Sequence, residues 1–151
     1  MSHQINLPDY SPEELSRFRL QECQGTMIGG MVAAANNGVT AMEHGYQMMA
    51  LQQVDWSQAN SAEKIAMVFW KHYQSTYGFG DQLTVTDLGE RIVMTMPSLA
   101  RAAVYQLRHW AASAEQLNDL QRGYWQAIEK LCDVGSELVF SDQEDRVTLL
   151  K

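Results

Sequence analysis

The apolar residues change their spacing along the chain, and that change sets the fold class. Up to about Tyr77 they recur three and four positions apart; from Leu83 they alternate, first in Leu83-Thr84-Val85-Thr86 and again in Arg91-Ile92-Val93-Met94-Thr95-Met96. The first period matches one face of a helix, the second one face of a strand. The two alternating runs flank Asp87-Leu88-Gly89-Glu90, a polar, glycine-containing connection of hairpin length. The pattern returns near the end, where Glu137-Leu138-Val139-Phe140 and Arg146-Val147-Thr148-Leu149-Leu150 flank the charged turn Ser141-Asp142-Gln143-Glu144-Asp145. Two hairpins separated by helices predict an α+β domain in which a four-stranded antiparallel sheet carries helices on one face.

The helices have their own start and stop signals. Ser11-Pro12-Glu13-Glu14 supplies a serine N-cap, proline at the first helical position and two carboxylates where the helix dipole favours them. This helix is expected to run to about Ala35. It places Leu15, Phe18, Met27, Ile28, Met31 and Val32 at helical spacing, and Gly25, Gly29 and Ala33 form a small-residue row suited to a close backbone or a flat ligand. Asn36-Asn37-Gly38 ends it with residues that accept left-handed backbone angles. A second helix is predicted from about Val39 to Gln53, carrying Met42, Tyr46, Met49 and Ala50 on one side and making an αα-hairpin with the first. Asn60 and Glu63 predict the start of a third, through Ile65, Val68, Phe69, His72 and Tyr73 to the glycine-containing loop Tyr77-Gly78-Phe79-Gly80. Pro97 and Ser98 open a fourth, about Leu99 to Trp110, and Ser113 with Gln116 a fifth, about Ala114 to Asp133. Residues 1–10 read as an arm, and no composition shift or linker divides residues 1–151, so a single domain is expected.

Charge excludes some partners. The formal net charge is −7, and the eleven lysines and arginines are scattered. A nucleic acid or an anionic bilayer requires a clustered basic footprint, so neither is expected. The longest strongly apolar stretch, Met27 to Ala35, is far short of the ~20 residues of a bilayer span, and the opening residues lack the basic start and apolar run of a signal peptide. A cytoplasmic location is expected. Cys23 and Cys132 each fall inside a helical pattern and outside any metal-type pair spacing, so both are expected to be buried thiols in a reducing compartment.

Few residues declare chemistry. No two of His3, His44, His72 and His109 stand three or four apart, and no cysteine is beside them, so no local metal motif exists. A metal would have to be assembled across helices, from His44, Glu43, His72 and His109. No serine occupies a nucleophile elbow, and Cys132 follows Lys130 near a helix C-terminus, where the dipole disfavours a thiolate. For general-base chemistry the catalytic candidates are His72, His109 and Glu43, with Cys132 as the nucleophile. Gly78-Phe79-Gly80 is too short and too aromatic for a phosphate loop, and Asp142 to Asp145 reads as a solvated turn rather than a calcium loop.

Nine methionines, four tryptophans, six tyrosines and four phenylalanines are the conspicuous inventory. Methionine fills irregular cores and also lines pockets for variable apolar ligands. The residues expected to orient a ligand in such a pocket are Tyr46, His72, Tyr73, Arg91, His109, Tyr124 and Trp125.

From Gln121 to Lys151 a long helix carrying Arg122-Gly123-Tyr124-Trp125 leads through Gly135 into a closing hairpin. This order resembles the C-terminal part of a small-ligand-binding superfamily that includes vinyl-reductase-type domains, haem NO-binding domains and Golgi-transport subunits, over about Leu83 to the end. Vinyl-reductase-type domains carry cysteines near the final hairpin, where Ser136 to Lys151 has none. Haem NO-binding domains carry a Tyr-x-Ser-x-Arg motif, which this chain lacks. Neither haem nor a cysteine-held metal is therefore implied, and the cofactor stays open. A second likeness, to small bacterial proteins of the aminothiazoline-carboxylate hydrolase type, rests on helices followed by strand, helix and strand and maps no catalytic residue.

Three functions are weighed on these grounds. The leading one is a binding or sensor domain, working as a homodimer, that encloses a small apolar or aromatic molecule between helices and sheet. The others are a small hydrolase, lyase or isomerase using a histidine or carboxylate base, and an adaptor that docks another protein through an apolar surface patch.

Overall fold

A computed structural model describes residues 9–52 and 56–151. His3, most of the expected N-terminal arm and the end of the expected second helix lie outside the described residues. Among the described residues the chain is α+β, with six α-helices and one four-stranded antiparallel sheet.

The helix starts follow side-chain capping. α1 (Pro12–Asn36) opens with a capping box: the Ser11 hydroxyl accepts from the Glu14 amide at 3.2 Å, and the Glu14 carboxylate accepts from the Ser11 amide at 2.9 Å. α2 (Ala41–Ala50) is capped by Thr40 and starts later than its apolar pattern suggests. α3 (Ala62–Tyr77) is capped by Ser61, not Asn60, because the extended Ser61 backbone points its hydroxyl at the Lys64 amide; Asn60 instead holds the Lys64 ammonium at 2.9 Å. Gly78, left-handed at φ 66°, ends α3. The helix expected over 99–110 is two short ones, α4 (Leu99–Ala102) and α5 (Val104–His109), broken at buried Ala103. α6 (Ala114–Cys132) begins with the expected Ser113/Gln116 box and ends at Asp133, itself left-handed at φ 54°.

The strands β1 (Thr84–Asp87), β2 (Arg91–Pro97), β3 (Ser136–Val139) and β4 (Glu144–Leu150) lie in the order β1-β2-β4-β3. The two hairpins join through their inner strands, with Ile92 opposite Leu149 and Met94 opposite Val147. Ile92, Met94, Met96, Val147 and Leu149 are buried, whereas Arg91, Glu144 and Arg146, on the other face, are exposed. One apolar face under helices and one polar face is the arrangement the alternation predicts.

α6 is the axis of the core: Leu117, Leu120, Tyr124, Trp125 and Ile128 are buried along it, and Trp125 stacks on Phe69 of α3 with ring centroids 3.9 Å apart. α2 touches α1, as the expected αα-hairpin requires, but packs most closely on α6. The approach needs glycine on both helices. A methyl at Gly45 would meet the Leu120 carbonyl oxygen, and one at Gly123 would meet the Met42 carbonyl oxygen and the Tyr46 amide nitrogen. The small-residue row of α1 receives side chains instead: Gly25 lies against Gln106, and the Trp110 indole lies over Gly29. Met27, Met31, Met49, Met94 and Met96 are buried, but Met42 and Met67 are exposed, and the bulkiest fully buried side chains are Trp125, Tyr73, Tyr124 and Phe69. No helix among the described residues is long and apolar enough to cross a membrane.

Candidate functional site

On each of three helices, residues four apart point toward a common space. Cys23 and Met27 do so from α1, His44 and Met48 from α2, His72 and Thr76 from α3; Tyr124 of α6 meets them from below. With Glu22, Thr26 and Gly30 they line a cleft of about 570 Å³ that opens to solvent. Its wall is chiefly apolar. Gln24, whose side-chain amide donates to the Thr76 carbonyl at 2.9 Å, ties α1 to the end of α3 and holds that rim in place. The His44 imidazole stands close to Gly30, with Nε2 3.5 Å from where a methyl would lie, an ordinary van der Waals contact.

Two polar groups converge in this space. The Tyr124 hydroxyl donates to the Met48 sulfur at 3.6 Å, a weak acceptor, and is otherwise buried. His72 stands edge-on to Tyr124, with ring centroids 6.0 Å apart, and its Nε2 is buried without a hydrogen-bond partner. Phe69 and Tyr73 enclose the same ring at 6.0 and 5.4 Å. Burial among these aromatic rings holds the His72 pKa below the ordinary imidazole value, so the ring is neutral at pH 7, and burial likewise raises Tyr124, which keeps its proton. The cleft therefore offers neutral donors and acceptors on an apolar background.

The other residues expected at a site are elsewhere. Tyr73 and Trp125 belong to the core, where the Trp125 Nε1–H donates to the Tyr73 hydroxyl at 3.1 Å and Tyr73 donates to Gln121 at 3.3 Å. Tyr46 is half-buried on α2, with the Lys130 ammonium 6.0 Å from its ring. Arg91 is exposed at the start of β2. His109 is exposed on α5, stacked with Tyr105, beside a second depression of about 410 Å³ on the other flank of α1. Glu43 is exposed and accepts from Gln47 at 3.3 Å. Cys132 closes α6, half-buried against the core, where burial raises its thiol pKa. Cys23 is exposed rather than buried, because it stands on the face of α1 that borders the open cleft.

Among the described residues no hydrogen bond or ion pair joins any two of His72, His109, Glu43 and Cys132, and no three His, Cys, Asp or Glu side chains gather into a set that could hold a metal ion. The turn from Ser141 to Asp145 is tied to α4. Asp145 is buried, one oxygen accepting from the Leu99 amide at 2.8 Å and the other from the Ser141 amide at 3.0 Å, so it caps α4 and the hairpin turn together.

A third depression, about 350 Å³, runs between α3 and β1 past Met67, Trp70, Val85 and Ile92. Its two carboxylates, Glu63 and Asp87, are both taken by Lys151 at 2.8 Å. The cleft at His72 is the stronger candidate because it holds a buried polar atom without a partner. Sequence reasoning missed Cys23, Thr26, Met48 and Thr76 as wall residues; the available signal was that each has a partner four positions away on the same helix face, Met27, Glu22, His44 and His72 in turn. No protein-family model, curated protein or solved structure matches the chain, so the site is read from its own geometry.

Proposed function

We propose that the protein is a cytoplasmic small-molecule-binding or sensor domain whose apolar or aromatic ligand sits in the cleft formed by α1, α2, α3 and α6. The carrying observation is the unpartnered His72 Nε2, buried beside an apolar wall. Buried polar groups in native proteins have partners, and binding sites combine an apolar cleft with a few convergent polar groups. The resemblance of residues 83–151 to a small-ligand-binding superfamily supports the same class of function, although the cleft lies among helices rather than between helices and sheet.

Methyl resonances test this. With ¹³C-methyl methionine labels, small aromatic compounds should move Met27 and Met48, which border the cleft, and leave Met67, which borders the α3–β1 depression, where it was. Shifts at Met67 alone, or none at all, would sink the proposal. Native mass spectrometry of the protein from its own host reads the retained ligand and the subunit number together, the latter expected to be two.

One observation favours a second reading, a small enzyme: a neutral imidazole at the base of a cleft is suited to take a proton. Of the four catalytic candidates only His72 survives in that reading. It requires turnover that His72→Gln abolishes without loss of fold.

A further inference from the structure

Resting on the cleft assignment above, we infer that the ligand is an uncharged alcohol or phenol whose hydroxyl lies between Tyr124 and His72. The Tyr124 proton is directed at the thioether of Met48, 3.6 Å away, and a thioether is a poor substitute for oxygen. The His72 ring stands near-perpendicular to the Tyr124 ring, at 83° with centroids 6.0 Å apart, and its buried Nε2 has no partner at all. The pair thus lacks one good acceptor for Tyr124 and one partner for Nε2. A hydroxyl supplies both with a single oxygen, accepting from Tyr124 and either donating to or accepting from Nε2 according to the imidazole tautomer.

Other head groups leave a deficit. A hydrocarbon would leave Nε2 bare and the Tyr124 hydroxyl on sulfur. A carboxylate would bring a charge against Met27, Met48 and the Tyr124 ring, near the rim carboxylate of Glu22. An ammonium group would need a buried counter-charge, and the only carboxylate on the wall is Glu22, which is exposed.

The test uses matched probes, 4-ethylphenol, ethylbenzene and 4-ethylbenzoate, followed through the Met27 and Met48 methyl resonances of the full chain. One additional hydrogen-bonded hydroxyl should make 4-ethylphenol about tenfold tighter than ethylbenzene, with 4-ethylbenzoate weakest. Tyr124→Phe should bring the affinities of the two neutral probes to within about threefold of each other. Should that variant fail to fold, His72→Phe asks the same question from the other side of the pair. Equal binding of ethylbenzene and 4-ethylphenol, or a preference for 4-ethylbenzoate, would overturn the ligand class and leave the cleft assignment standing. If no probe moves Met27 or Met48, both fall together.

Discussion

His72 owes its neutral state to its place on α3, one helical turn beyond Phe69 and in contact with Tyr73 and Tyr124. Burial penalises the imidazolium, so the folded-state pKa lies below that of the unfolded chain. The native protein then binds fewer protons than the unfolded one between those two values, and its stability must fall as pH is lowered from 6.5 through the folded-state pKa. Urea midpoints at pH 7.5 and 5.0 should show this drop, and His72→Phe should flatten it. Ligand affinity is expected to fall over the same range. Residue type made His72 and Tyr124 legible in the sequence, yet it named Tyr73 and Trp125 with equal force. Consecutive helical positions differ by about 100° around the axis, and that rotation separates the cleft residues from their core neighbours. α3 carries apolar residues over much of its surface and shows no clean stripe, while on α6 Tyr124 and Trp125 stand side by side on one buried stripe, so neither pattern tells one direction from the other. Cys23 was misjudged for a related reason: α1 borders an open space where its pattern suggests an interior.

At the scale of elements, the crossing of α2 and α6 gives the same substitution opposite signs at different sites. Alanine is favoured over glycine in a helix by about 1 kcal/mol. At Gly30 a methyl meets only ordinary contact with His44, so Gly30→Ala should raise stability by up to about 1 kcal/mol. At Gly45 and Gly123 the obstacle is backbone, which cannot rotate aside, and each alanine is expected to cost about 1–3 kcal/mol. Urea denaturation of the three variants checks the order. Interior helical glycines that carry such a cost call for a packing reason, and Gly123, within Arg122-Gly123-Tyr124-Trp125, was readable in that way. The serine starts of α1 and α6 were legible because capping is local chemistry. The break at Ala103 was not, since neither proline nor glycine marks it. Asp145, tying the last hairpin to α4, offers a further check: Asp145→Ala leaves the Leu99 and Ser141 amides unpaired and should destabilise by about 2–4 kcal/mol.

Over the whole molecule, the alternation that starts at Leu83 sufficed for the fold class, because a hairpin with one apolar face has to bury it under something. Which helices cover the sheet, and which meet one another, was beyond it, since those contacts join residues distant in sequence. Lys151 is one such join. It bridges Glu63 on α3 to Asp87 on β1, and these hydrogen bonds hold the Glu63 pKa down to about 2 and lower Asp87 as well. Carboxylates depressed in the fold contribute stability that is present above their unfolded values and lost as the pH falls toward the folded ones. Between pH 4.5 and 2 the urea midpoint of Lys151→Met is therefore expected to fall less than that of the native chain. The partnership of α2 with α6 bears on something else, the order in which the molecule can be made. A chain growing from its N-terminus carries α2 long before α6 exists, so the glycine face at Gly45 and the Phe69 ring wait uncovered, and the sheet waits longer still for β4. Early segments cannot settle in turn. Closure of the domain waits on α6 and β4, and the long loops it must gather slow it.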